Sequence, residues 1–395
     1  MRLAHDSHLA YCTNIHRGED WKETFAGLER YTLEVRQQVC PADSPYAIGL
    51  RLSAKAAKEL SDPTTLLQFQ RWLEKHNCYV FTINGFPYGS FHDTRVKEQV
   101  YAPDWQTTER LHYTNQLFEI LAQLLPSGVS GSVSTVPCSF KDFIDNSAQV
   151  DAIRKNLISC VDHIAKLSER HGCDLHLGLE PEPLGFLETT EEALNFFETI
   201  HRAAPNSDLI RQHLGINYDT CHMAIQYEEP RVSLNLLRAH DIRLSKLHLS
   251  SALKVKPTPT VQTRLADFID TVYLHQVVAR SSDGNLTRYT DLDQALDSAR
   301  DQTEADEEWR IHFHVPLHTK PDGELRTTKD HLLGVLDALA EDPSMCSHLE
   351  FETYTWEVLP AAMKTPNVVS QLTAEYDWCL NALAERGLNQ YSIPE

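Results

Sequence analysis

Short runs typical of β-strands alternate with longer segments of helical periodicity along most of the chain. This order predicts parallel βα units. Eight such runs occur, at residues 8–12, 46–52, 78–84, 131–136, 173–180, 213–219, 244–250 and 348–354. Eight βα units predict an α/β protein with the (β/α)8 TIM barrel fold.

The segments between these runs have the spacing of amphipathic helices. Leu117, Ile120 and Leu121 share one helical face, and Thr189 followed by Glu192 predicts a capping box at the start of another helix. The 395-residue chain is 42% hydrophobic, enough for a large core. We therefore predict one barrel domain over residues 1–395.

Residues 251–320 interrupt the alternation before the last strand. The run "YLHQVVARSSDGNLTRY" predicts a hairpin that turns at Asp283 and Gly284, and "WRIHFHVPLH" predicts an extra strand. We interpret this segment as an insertion into the barrel, and we expect it to lie over or beside the C-terminal mouth.

Charge and cysteine usage limit the partners. A formal charge of -20 is spread along the chain, which disfavours nucleic acids and anionic membrane faces. The nine cysteines form no CxxC pair, which is typical of reduced thiols in a cytoplasmic protein. Neither a signal-peptide pattern nor an apolar run of about 18 residues is found, so we expect no membrane insertion.

Four strand-like runs carry polar residues on the face opposite their large apolar residues. With alternate residues on opposite faces, Glu180, Asp219, His248 and Glu352 point inward, at the C-terminal ends of their strands. Active sites of TIM barrels assemble at that end. Three carboxylates and one imidazole predict a site for a hard to borderline divalent cation such as Mn, Mg, Co or Zn.

The order of these residues resembles a known superfamily, the xylose isomerase-like TIM barrels of sugar isomerases and epimerases. The resemblance implies that Glu180, Asp219, His248 and Glu352 are metal ligands and that His222, in "DTCH", contacts substrate. Longer motifs, among them "YCTNIHRGEDW", "NGFPYGSFH", "STVPCS" and "ETYTWEVLP", resemble the EboE-type metabolite traffic proteins. That family is named for gene clusters that process or export metabolites.

This resemblance implies a metal-dependent isomerase or epimerase. Such an enzyme would act through an enediolate on a sugar-like or cyclitol-like small molecule. A metal that chelates a carbonyl and an adjacent hydroxyl acidifies the intervening C–H bond. Glu180 and Glu352 would then share the duties of base and acid, and His222 would orient a substrate oxygen. No glycine-rich nucleotide motif follows a strand, so no nucleotide cofactor is expected.

Further residues are candidates for substrate contacts: Asn84, His92, Glu182, Lys246, His275 and His314. His312 and His314 also have the HxH spacing of zinc ligands, although a surface or hydrogen-bonded pair has the same spacing. Two other functions stay open: a metabolite carrier without turnover, and a metal-dependent hydrolase on the same barrel. The sequence also leaves open whether the protein is a homo-oligomer.

Overall fold

The structure is a computed structural model, and it describes residues 1–89, 97–269, 273–299, 307–320, 323–360 and 363–389. Within these ranges the strands form one sheet of eight and one of five. The strands are β1 (His8–Tyr11), β2 (Tyr46–Arg51), β3 (Cys78–Asn84), β4 (Gly131–Thr135), β5 (Leu175–Leu179), β6 (Leu214–Asp219), β7 (Arg243–Leu249), β8 (Leu253–Val255), β9 (Val277–Ser281), β10 (Leu286–Tyr289), β11 (Glu307–Ile311), β12 (Arg326–Thr327) and β13 (His348–Phe351).

The helices of the described ranges lie mostly between successive strands of the larger sheet. They are α1 (Trp21–Gly27), α2 (Leu33–Val39), α3 (Ala54–Leu60), α4 (Pro63–Lys75), α5 (Thr108–Leu124), α6 (Ser147–His171), α7 (Thr190–Ala203), α8 (Ser207–His213), α9 (Thr220–Ile225), α10 (Pro230–Ala239), α11 (Pro259–Leu265), α12 (Leu292–Ala299), α13 (Lys329–Glu341) and α14 (Val368–Ala384). No described helix is both long and apolar enough to cross a bilayer.

The larger sheet is a nearly closed parallel barrel in the order β1-β13-β7-β6-β5-β4-β3-β2. A single parallel bridge between Cys12 and Gly49 joins its two edges. The backbones approach closely there, since a Cβ atom on Gly49 would lie 2.7 Å from the carbonyl oxygen of Tyr11 and would overlap the carboxylate of Glu350. The predicted TIM barrel is confirmed, and each predicted strand coincides with a barrel strand.

The main core lies between the barrel and its helices. Leu175, Leu177 and Leu179 of β5 are fully buried on the helix side, and Leu117 and Leu121 of α5 are fully buried as well. The predicted capping box is confirmed at the start of α7, where the side chain of Thr189 accepts from the backbone N–H of Glu192. The apolar periodicities thus cover the outer barrel wall. Ala10, Ala47, Tyr79 and Phe81 have the opposite phase and form a small apolar cluster of their own.

The smaller sheet comes from the chain between β7 and β13. Its order is β10-β9-β11-β8-β12, with antiparallel pairing throughout. β9 and β10 form a hairpin whose turn contains Gly284 at a φ of 89°. This sheet packs α11 and α12 around a second apolar cluster that includes Trp309 and Phe313.

Candidate metal centre

Four predicted ligands converge at the C-terminal end of the barrel. One donor atom each from Glu180, Asp219, His248 and Glu352 lies within 4.8 Å of the other three, and all four residues are buried. They come from the ends of β5, β6, β7 and β13, which are consecutive in the barrel. Side chains alternate along each strand, so the alternation that buries apolar residues against the helices also brings these polar side chains together inside the barrel.

The two carboxylate oxygens of Asp219 differ in their hydrogen bonding. Its Oδ1 accepts hydrogen bonds from the backbone N–H groups of Cys221 at 2.7 Å and His222 at 3.1 Å, and from the Ser250 hydroxyl at 2.6 Å. Its Oδ2 is buried without a hydrogen-bond partner among the described residues, 3.5 Å from Nδ1 of His248. An unpartnered buried carboxylate oxygen aimed into this cluster fits a cation ligand.

The carboxylate of Glu350 orients the ring of His248 from the side opposite the cluster. Its Nε2 donates to Oε2 of Glu350 at 2.8 Å, and Lys246 donates to the same oxygen at 2.7 Å. Its Nδ1 therefore faces the cluster, 2.9 Å from Glu180 and 3.6 Å from Glu352. A carboxylate behind a ligating histidine is the arrangement that fixes tautomer and basicity at metal sites.

The electrostatics of the cluster favour a positive charge at its centre. Burial alone lowers the pKa of His248, but the charges of Glu180 and Glu352 raise it well above its ordinary value. The carboxylates thus hold a proton on the imidazole, and a divalent ion on Nδ1 would replace that proton. The donor set fits such an ion, because three carboxylates and one imidazole suit a hard to borderline divalent cation.

The pKa values of the two glutamates shift in opposite directions. Burial favours the neutral form of Glu180, but the charge and hydrogen bond of His248 lower its pKa below the ordinary value. Burial raises the pKa of Glu352 to about 7, against the opposing charge of His248. Oε1 of Glu352 accepts from Asn14 at 2.6 Å and from Asn84 at 3.2 Å. Carboxylates with such different environments are suited to different proton-transfer roles.

A cavity opens directly onto this cluster. Glu180 and Glu352 line it together with polar groups from both sheets, and its walls include Phe86, Val100, Tyr101 and Leu274. A cavity with converging polar groups and apolar walls is typical of small-molecule sites.

Several residues that were predicted to contact substrate line this cavity or contact the four-residue cluster. Glu182 and His222 line the cavity, and Asn84 donates to Glu352. His314 is fully buried, and its Nδ1 lies 2.9 Å from the backbone carbonyl of Glu352. These residues surround the four-residue cluster.

Other candidates are placed differently. Nδ1 of His275 donates to the backbone carbonyl of His312 at 3.0 Å, so the ring of His275 contacts the backbone of His312. Lys246 is fully buried and bonds to Glu350 and Ser134, so Glu350 separates it from the cluster. His92 lies outside the described residues.

Sequence reasoning did not assign Asn14, Glu350 or Gln276 to the site. Asn14 lies in a single 3-10 turn after β1, where no periodicity marks it. Glu350 has the same inward phase as Glu352, two residues away, and that phase was the available signal. Gln276 lines the cavity from the strand-like run of the predicted hairpin, just before β9.

No protein-family model matches the sequence. A search of curated proteins likewise finds no match. Solved structures do match over nearly the whole chain. One is a xylose isomerase-like TIM barrel protein from Mycobacterium smegmatis in complex with magnesium, at 12% identity and a TM-score of 0.54, covering 98% of this chain and 99% of that one.

Two more distant structures are also similar. An L-ribulose 3-epimerase has a TM-score of 0.49 at 12% identity, covering 96% of this chain and 95% of that one. An IOLI protein with a binding zinc atom has a TM-score of 0.47 at 12% identity, covering 98% and 100%. Together with the strand order described above, the likeness to the M. smegmatis protein shows that this chain has the xylose isomerase-like TIM barrel fold.

Proposed function

We propose that the protein is a divalent-metal-dependent isomerase or epimerase of a sugar-like or cyclitol-like polyol. The observation that carries this proposal is the cluster of Glu180, Asp219, His248 and Glu352 at the inner end of the cavity. Two of its members, Glu180 and Glu352, also face the space that a substrate would occupy. Ligands and proton-transfer groups therefore adjoin one small-molecule cavity.

The ion is Mn, Mg, Co or Zn, held by those four residues. When bound, it supplies Lewis-acid polarisation of a substrate carbonyl, which acidifies the neighbouring C–H bond. Asp219 offers an open carboxylate oxygen, and Glu350 holds the ring of His248 in place. The protein thus presents its ligands already oriented.

Glu180 and Glu352 share the removal and return of the carbon-bound proton. They come from strands on different sides of His248, so a carbon held between them can lose a proton to one and regain it from the other. Asn14 and Asn84 hold Glu352 by one oxygen and leave its Oε2 on the cluster side. His222 lies at the same cavity, in position to contact a substrate oxygen.

The cellular role follows from chemistry and resemblance. All nine cysteines are free, which supports a reducing compartment such as the cytoplasm. The resemblance to EboE-type proteins supports a part in metabolite processing or export. The polar floor of the cavity suits a chelating polyol head, and Phe86 and Leu274 on its walls suit an apolar substituent.

Isotope exchange tests turnover against binding alone. The Mn-loaded protein is incubated in heavy water with a panel of ketohexoses and inososes, and deuterium at carbon is followed by NMR. We expect incorporation with at least one member and its loss in Glu352→Gln. Glu385→Gln, at an exposed carboxylate, is the matched control.

Metal content is measured for each variant, because Glu352→Gln also removes a ligand charge. Exchange that persists in a metal-loaded variant lacking both Glu180 and Glu352 would contradict the two-glutamate assignment. Ligand binding without deuterium incorporation across the panel would favour the carrier alternative.

A further inference from the structure

The carboxyl group of Glu182 lies in the cavity wall outside the four-residue cluster. Glu182 is only 7% exposed, and it lines the cavity. Its backbone is held in the loop after β5: its N–H donates to the carbonyl of Leu187 at 3.1 Å, and its carbonyl accepts from Gly185 at 2.9 Å. The position of this side chain is therefore set by the barrel, on the inner side of the loop.

The imidazole beside this carboxyl gives it no counter-charge. Nδ1 of His312 lies 3.7 Å from Oε1 of Glu182, beyond hydrogen-bond distance. That nitrogen donates instead to Oε1 of Gln276 at 2.7 Å, because the amide nitrogen of Gln276 is engaged with the carbonyl of Pro183. Burial holds the pKa of His312 well below its ordinary value, so the ring is neutral.

The ammonium group nearest the cavity is already engaged. Lys97 is the one lysine or arginine among the cavity-lining residues of the described ranges. Its Nζ donates to the carboxylate of Asp291 and, at 3.2 Å, to the backbone carbonyl of Tyr273. The cavity therefore offers Glu182 no basic side chain of its own as an ion-pair partner in this part of the chain.

A second unpaired polar group lies near Glu182. Tyr101 is fully buried and lines the same cavity, and its hydroxyl has no hydrogen-bond partner among the residues that the structure describes. Burial and the negative charge of Glu182 raise the pKa of Tyr101 well above its ordinary value. Buried polar groups are normally hydrogen-bonded, so two unpaired ones in one cavity indicate that a ligand supplies their partner.

Glu182 is close enough to the four-residue cluster to contact the same ligand. One of its carboxylate oxygens lies within 4.8 Å of a ring nitrogen of His222. Nδ1 of that histidine lies 3.9 Å from Oε1 of Glu180. A polyol ring whose oxygens face the cluster can therefore reach Glu182 with a substituent on a neighbouring carbon.

An ammonium substituent fits this position better than a hydroxyl. It carries three N–H donors, and its charge offsets the cost of burying a carboxylate, which a neutral hydroxyl does not do. The rings of Tyr101 and Tyr354 line the same cavity and offer aromatic faces to a cation. The formal charge of -20 also raises the local concentration of cationic ligands.

We propose that Glu182 binds an ammonium group of the substrate, so that the polyol is an amino sugar or an aminocyclitol. This assignment rests on the proposed function, since it names the substrate class of the same cavity. The hydroxyl of Tyr101 is the second contact of the ammonium group. Oxygens on neighbouring carbons of the same ring face Glu180 and Glu352.

Matched pairs of ligands test this assignment by binding, without turnover. The Mn-loaded full chain is titrated calorimetrically at neutral pH with D-glucosamine and D-glucose, and with scyllo-inosamine and scyllo-inositol. Within each pair, one hydroxyl is replaced by an ammonium group. We expect at least one amine to bind at least tenfold more tightly than its neutral partner, and Glu182→Gln to abolish that preference. Glu385→Gln, at an exposed carboxylate, should keep it.

Tyr101→Phe is a second variant of nearly identical shape, in case Glu182→Gln fails to fold. It should weaken binding of the preferred amine several-fold and leave the affinity for its neutral partner unchanged. Equal affinities within both pairs, failure of both amines to bind, or a preference that survives in folded Glu182→Gln would overturn the assignment.

Deuterium exchange with neutral ketohexoses and inososes judges the isomerase separately. Exchange without an amine preference would overturn ammonium recognition alone. An amine preference without exchange in any ligand would contradict turnover and retain ammonium recognition by Glu182.

Discussion

Nε2 of His248 donates a 2.8 Å hydrogen bond to Oε2 of Glu350, and the same oxygen accepts from Lys246 at 2.7 Å. All three residues are fully buried. Glu350 thereby does two things at once. It orients a proposed metal ligand, and it neutralises a buried ammonium group.

Glu350→Gln should weaken binding of the metal ion by about 10- to 100-fold, because the amide loses the charge that holds and polarises the His248 ring. Competition against a chelating dye measures the dissociation constant. Glu385→Gln at an exposed position serves as the control. Unchanged affinity in the folded Glu350→Gln protein would show that His248 does not depend on this contact.

The same substitution should also destabilise the fold. Glu350→Gln leaves the Lys246 ammonium buried without its ion-pair partner, and breaking one side of a buried pair costs about 3–5 kcal/mol. Adding Lys246→Met removes the unpaired charge and should recover most of that free energy of unfolding. Urea titrations of both single variants and the double variant measure the coupling. Additive losses would contradict a direct ion pair.

Gly49→Ala should perturb both the barrel seam and the metal centre. The added Cβ would lie 2.7 Å from the carbonyl oxygen of Tyr11 and would displace the carboxylate of Glu350. We expect a loss of about 1–3 kcal/mol in the free energy of unfolding, together with weaker metal binding. Gly89→Ala is the matched control, since a Cβ there has no neighbour within 4 Å. Equal behaviour of the two variants would contradict this account.

The ionisation of Glu375 should lower the free energy of unfolding as pH rises. It is fully buried, and burial raises its pKa to about 7 despite a hydrogen bond from Thr353. Between the ordinary pKa of a glutamate and about 7, the unfolded chain loses this proton while the folded chain keeps it. The linked free energy therefore favours unfolding as pH rises through this window, by about 3 kcal/mol in total.

The comparison with Glu375→Gln isolates that contribution. The amide can keep the acceptor for the Leu317 backbone N–H and the Thr353 hydroxyl but cannot ionise. Its difference in unfolding free energy from the wild type should therefore change between about pH 4.5 and 7 and stay level above that range. A pH-independent difference would place the Glu375 pKa near its ordinary value.

The strand pattern made the barrel predictable. Large apolar residues alternate with polar residues or glycine in β5, in β6 and in the second half of β7, so one phase marks both the outer wall and the inward carboxylates. The inward phase alone could not separate Glu350 from Glu352, because both alternate with Phe351. Their difference is one of depth: Glu350 lies within β13, and Glu352 follows it at the mouth.

Residues outside regular strands gave weaker signals. Asn14 reaches Glu352 from 338 positions away in the chain, and no local pattern encodes that contact. The spacing of His312 and His314 suggested zinc ligands but could not reveal the facing partner of His312. That partner, His222, lies 90 positions earlier, in helix α9 directly after strand β6 of the barrel.

The mouth of the barrel combines two structural units that share no strand in the described ranges. The larger sheet supplies the four-residue cluster, while the smaller sheet supplies His312 and part of the cavity wall. Substitutions in the smaller sheet can therefore alter what enters the mouth without rebuilding the ligands of the metal ion. Related chains with this architecture can therefore change their substrate by exchanging the smaller sheet while they keep the same four-residue cluster.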